Sequence, residues 1–166
     1  MVLLATLGGL LAGCAVARTR AAGGVIVVAR KGYQVVPPSG WEPIPSAEAD
    51  VALRQSGLGA GLMAHGTCEG KTPRRTLPVL VRHLRFGLRD VEGLDQARVE
   101  VAGLPGVRSR FTARLDGAPV AVGAVTLQGR DCVYDLVVVA PPERLGAVAD
   151  DFERFATSFE LTGESP

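Results

Sequence analysis

Between Ser109 and Val139 the side chains dictate an architecture, because polar and apolar residues alternate one by one and then give way to a nearly continuous apolar run. Phe111, Ala113 and Leu115 alternate with Arg110, Thr112 and Arg114, the period-two pattern of a strand with one buried and one wet face. Asp116 and Gly117 follow as a two-residue hairpin signal. Val120 to Leu127 returns, Gly129 and Arg130 turn again, and Asp131 to Val139 is the most apolar strand. An earlier strand at Ala97 to Val101 leads into a turn at Leu104, Pro105 and Gly106. Successive strands joined by tight turns pair antiparallel. The chain is committed to a meander.

Upstream, the β-branched run Val25 to Ala29 turns at Arg30, Lys31 and Gly32 into Tyr33 to Val36, a predicted hairpin that stops at Pro37 and Pro38. Ser39 and Gly40 turn the chain into Trp41, the only tryptophan, and Asp50 to Arg54 and Leu58 to His65 are two further extended segments. Leu77, Leu80, Val81, Leu84 and Leu88 recur at helical spacing, so a helix is expected over Thr76 to Leu88, with Arg82, His83, Arg85 and Arg89 on its solvated faces. Pro141 and Pro142 open a final helix whose core face is Leu145, Val148, Phe152, Phe155 and Phe159. Strands, helix, meander and helix make an α+β order, an antiparallel sheet with helices packed on it.

The first residues carry a different message. An uncharged apolar run from Met1 ends in Leu11, Ala12, Gly13 and Cys14, after which the polarity changes. This segment resembles the signal peptide and lipobox of bacterial lipoproteins. The resemblance implies cleavage between Gly13 and Cys14, acylation of Cys14, and a membrane contact through that lipid. Two or three acyl chains on one residue make a durable anchor, since each buried methylene adds roughly 0.8 kcal/mol. Met1 to Ala17 falls short of the about 20 apolar residues that a membrane span requires. Ala15 in place of aspartate after the cysteine implies the outer membrane, facing the periplasm. The expected organisation is a signal peptide over 1–13, a tether over 14–24, a single α+β domain over 25–161 and a frayed tail over 162–166.

With Cys14 assigned to lipid, Cys68 and Cys132 remain, the even number expected of a disulfide in an exported protein. Two buried free thiols, or half of a metal site drawn with His65 and His83, are the competing readings. The zinc constellation lacks the two tight ligand couples of a structural site, because Asp131 alone lies close to Cys132.

Chemistry is hard to place. Gly66, Thr67, Cys68, Glu69, Gly70, Lys71 and Thr72 imitate a phosphate loop but have three residues between the glycines where four are needed. No serine sits in a nucleophile elbow, and His65 and His83 are the only imidazole bases. A small envelope hydrolase or thiol enzyme using Cys68 and His65 is the alternative function, and it requires a reduced Cys68. A formal net charge of +1 and 5% aromatic residues give no basis for nucleic-acid binding.

Tyr33, Val35, Pro38, Gly40 and Trp41, the helix from Leu77 to Leu88, the meander, and the terminal Phe155, Ser158 and Phe159 together resemble the PsbP-like superfamily. That resemblance covers about Val25 to Leu161 and implies an α/β/α sandwich and a non-enzymatic role in binding or assembly at a membrane or on a partner protein. No catalytic residue, metal or cofactor is expected. The chain reads as a lipid-anchored envelope protein that meets a protein partner; Trp41 is the side chain to test for a contact role, against the favoured reading of a half-buried tryptophan that closes the core.

Overall fold

The computed structural model describes residues 20–22, 24–68, 79, 81–85 and 87–163; Gly13, Cys14 and the rest of the segment read as a signal peptide lie outside them. Among the described residues, eleven strands form two antiparallel sheets. The smaller sheet has the order β1-β2-β3-β11, built from β1 (Arg20–Ala22), β2 (Val25–Val28), β3 (Tyr33–Val35) and β11 (Glu160–Leu161). The larger has the order β4-β5-β6-β10-β9-β8-β7, with β4 (Glu42–Pro43), β5 (Val51–Gln55), β6 (Ala60–Thr67), β7 (Arg89–Val101), β8 (Leu104–Leu115), β9 (Ala118–Gln128) and β10 (Val133–Ala140).

The apolar strand β10 occupies the middle of the large sheet, covered on both faces, which is why it lacks alternation. Its Tyr134, Leu136, Val138 and Ala140 point into a core shared with the small sheet and with helix α1 (Ala149–Thr157). Val137 points the other way, into a second cluster with Phe111, Ala113, Val122 and Ala124, against which Leu84 and Leu88 pack. The meander follows the expected register, with Leu115 opposite Ala118 across the Asp116–Gly117 turn. The predicted first hairpin also forms, Ile26 pairing with Val35, and the segment read as a tether contributes β1, which pairs with β2.

Four expectations are corrected. The described residues are mostly antiparallel sheet, more sheet-rich than an α/β/α sandwich with several helices. Within the helix expected over Thr76 to Leu88, residues 76–78, 80 and 86 lie outside the described residues, Val79 is α-helical, and Val81–Arg85 is a 3-10 helix. The terminal helix is divided: Pro142–Val148 is 3-10 and only Ala149–Thr157 is α, since Leu145 and Val148 at i, i+3 satisfy either winding. The turn before β8 is not at Leu104, Pro105 and Gly106 but at Ala102 and Gly103, both at positive φ (52° and 74°).

Positive φ at both central residues is the hairpin geometry that matches strand twist, and it suits Gly or Asn far better than alanine. Ala102→Gly is therefore expected to stabilise the protein by about 1 kcal/mol, visible as a higher urea midpoint at unchanged slope. A lower midpoint would show that Ala102 bears no strain.

Candidate functional site

Where the final helix crosses the large sheet, a cleft of about 280 Å³ remains between α1 and strands β7 to β10. Its apolar side is Val138, Leu145, Ala149 and Phe152, and Gly123 lies at its base. A β-carbon on Gly123 would come within 2.9 Å of Val138 Cγ1, so the missing side chain makes room for Val138, while Phe152 would stand at an ordinary contact distance of 3.5 Å. Asp95, Arg108, Arg110 and Glu153 supply the charge. Arg108 grips Glu153 with both guanidinium nitrogens, one at 2.7 Å, and so ties β8 to α1. Both side chains are partly in water, which limits the contribution of this pair to stability. Asp95 and Arg110 are cross-strand partners in the β7–β8 ladder, yet neither is in an ion pair among the described residues. Among the described residues, no imidazole or thiol lines this cleft.

A second polar arrangement lies on the opposite face of the sheet. Asp135, 4% exposed in the middle of β10, accepts a hydrogen bond from Thr126 Oγ1 at 2.7 Å, and its other oxygen is 2.6 Å from His83 Nε2. His83, expected on a solvated face with Arg82, Arg85 and Arg89, keeps half of its side chain exposed, and the ring is held by this buried carboxylate. A lone Asp inside the run Val133-Tyr134-Asp135-Leu136-Val137 was the available signal, because a buried carboxylate demands a partner.

Asp50 is a third centre, where the two sheets meet. Its Oδ2 accepts from Tyr33 Oη at 3.0 Å and from the Gly66 amide at 2.7 Å, and its Oδ1 lies 2.7 Å from Lys31 Nζ. Burial, followed by the Asp50 carboxylate and its hydrogen bond, pushes the Tyr33 phenol far above its usual range. Tyr33, Tyr134 and Phe159 cluster beside it with ring centroids 5.0 to 5.5 Å apart, Tyr33 stacked on Phe159 and set edge-on to Tyr134. His65 Nδ1 is 3.8 Å from Asp50 Oδ2, too long for a hydrogen bond.

Cys68 and Cys132 form a disulfide. This closes the thiol route through Cys68 and His65, since a sulfur bonded to sulfur is no nucleophile, and it removes both sulfurs from any metal set. Among the described residues no three His, Cys, Asp or Glu side chains converge as donors. Trp41 is 6% exposed, and its indole N–H donates to Asp151 Oδ2 at 2.9 Å. Trp41 thus closes the core, the favoured of its two readings from sequence, and fixes the start of α1.

The same architecture recurs in solved structures. Cyanobacterial PsbP (CyanoP) from Synechocystis sp. PCC 6803 aligns over 92% of this chain and 98% of its own, with a TM-score of 0.61 at 16% identity. The fold is PsbP-like. LpqN, described as involved in cell envelope biogenesis of Mycobacterium tuberculosis, shares this PsbP-like fold at a TM-score of 0.60 and 13% identity, over 78% of this chain and 83% of that one. A protein of Bacteroides thetaiotaomicron VPI-5482 aligns at 0.58 and 10% identity, over 80% of this chain and 46% of its own. At such identities the likeness is one of fold alone. No family model and no curated protein sequence matches the chain.

Proposed function

We propose that this PsbP-like domain is a cell-envelope protein, tethered by lipid at Cys14, that acts as a non-enzymatic binding or assembly module through the cleft beneath α1. The observation that carries this reading is the Cys68–Cys132 bond, because disulfides of this kind belong to oxidising compartments outside the cytoplasm. The lipobox-like run ending at Cys14 supplies the route there, and the envelope role in LpqN's description is compatible with it. The cleft offers apolar surface from Leu145 and Phe152 beside charge at Asp95 and Arg110 that forms no ion pair among the described residues, which suits recognition of a protein surface.

Intact mass of the native protein, isolated from its envelope without reductant, tests the anchoring. The expected species starts at Cys14, carries acyl mass there, and lacks the two hydrogens removed by the Cys68–Cys132 bond. A chain that retains Met1 with an unmodified Cys14 overturns the reading. In the same envelopes Arg110→Glu should abolish a cross-link to the partner while leaving the acyl mass unchanged.

A further inference from the structure

At the far edge of the large sheet, β7 runs for thirteen residues and has one strand partner among the described residues, β8. An edge this long exposes a row of backbone donors and acceptors, which proteins usually shorten, interrupt or pair. The first half of β7 is interrupted, with register shifts between Arg89 and Glu92 and between Glu92 and Asp95. From Asp95 to Val101 the pairing with β8 is regular, up to the Ala102–Gly103 turn.

The side chains of this regular stretch are self-complementary. Arg98 and Glu100 project from the same face, opposite Val107 and Pro105 of β8, so neither finds a charge across its own ladder. Neither is in an ion pair among the described residues. On the other face Val99 and Val101 are only partly buried against the main core.

We propose that two copies of this chain join through β7, antiparallel, with Val99 facing Val99 on a twofold axis. In that register each Arg98 lies opposite the other copy's Glu100, giving two ion pairs on one face. The opposite face brings Ala97 against Val101 on either side of the central valine pair, so both half-exposed valines are covered. Antiparallel strands keep directly opposed residues on one face, so the competing twofold registers are few. Centring on Arg98 or on Glu100 opposes like charges, and centring on Ala97 leaves both charges unmatched. A twofold contact of this kind closes on itself. The other edge of the sheet, β4, is two residues long and ends in Pro43, so the assembly stops at two copies.

Five paired residues a side make a small interface, which implies an association that depends on concentration. The proposal holds whether or not Cys14 is acylated, so an unmodified Cys14 would defeat the tether and leave the dimer standing. Sedimentation equilibrium of the full chain in detergent, over a range of concentrations, should show the protein mass doubling as concentration rises. Arg98→Glu and Glu100→Arg each replace both ion pairs by like charges and should weaken association about tenfold or more. The doubly swapped R98E/E100R chain restores both pairs in reversed order and should dimerise like the original. A chain that stays monomeric throughout, singly swapped variants that dimerise unchanged, or a double swap that fails to restore association would each overturn the proposal.

Discussion

Replacing Cys68 and Cys132 together by serine is expected to lower the free energy of unfolding by about 4 kcal/mol, the chain-entropy value for a closed loop of this length. The two cysteines are 64 residues apart, and the loop they close contains β7, β8 and β9. Cys68 follows the last rung of β6 and Cys132 precedes the first of β10, where Thr67 pairs with Val133. The bond therefore adds one covalent rung at the centre of the sheet. Its effect falls on the unfolded state: without it, the chain between β6 and β10 regains its freedom before the central pairing reforms. Urea unfolding of oxidised and doubly substituted protein measures the difference, and a loss below about 1 kcal/mol would mean that the unfolded chain stays compact without the bond.

The sequence revealed the parts of the fold that depend on local chemistry. Asp116–Gly117 announced a hairpin because both residues tolerate positive φ, and the alternation at Phe111 and Ala113 named the buried face of β8. Ala102–Gly103 adopts positive φ at both positions without the favoured first residue, so the more conspicuous Pro105 and Gly106 attracted the turn. Pro105 is tolerated in the strand because it lies beyond the last β8–β9 rung, Gly106 with Leu127, where a missing N–H costs nothing on that side. The first half of β7 was illegible for another reason. Bulged, and exposed except at Val91, it shows no alternation.

The candidate site was less legible than the fold. Arg108 and Glu153 are 45 residues apart, and nothing local says that β8 and α1 will bring them to one cleft. Asp135 did carry a signal, a carboxylate in an apolar run, whereas its partner His83 was hidden among arginines on what reads as a solvated helix. Trp41 was legible as a residue that closes the core, and the polar edge of its indole is satisfied internally by Asp151.

Removal of the Asp50 side chain should have the second large effect, because this carboxylate holds the two sheets together from their shared boundary. Tyr33 belongs to the small sheet, Gly66 to the large one and Lys31 to the turn of the first hairpin, and all three donate to the same group. In Asp50→Ala the Lys31 ammonium can turn to water. Tyr33, 1% exposed, cannot, and its hydroxyl is left buried without an acceptor. The expected cost is about 3 kcal/mol, and Asp50→Asn, which keeps one acceptor oxygen, should lose roughly half as much. The same contact predicts an alkaline limit. The folded phenol of Tyr33 ionises above its unfolded value of about 10, so the folded state holds its proton longer. This contribution is complete below pH 10 and is lost as the pH rises further. Tyr134, also raised by burial and then by Asp131, adds to the slope in the same direction. Urea midpoints between pH 8 and pH 11 should therefore fall above pH 10 in the native chain and fall less steeply in Tyr33→Phe. An Asp50→Ala variant within 1 kcal/mol of the parent at pH 7 would show that aromatic stacking of Tyr33, Tyr134 and Phe159 alone secures the boundary.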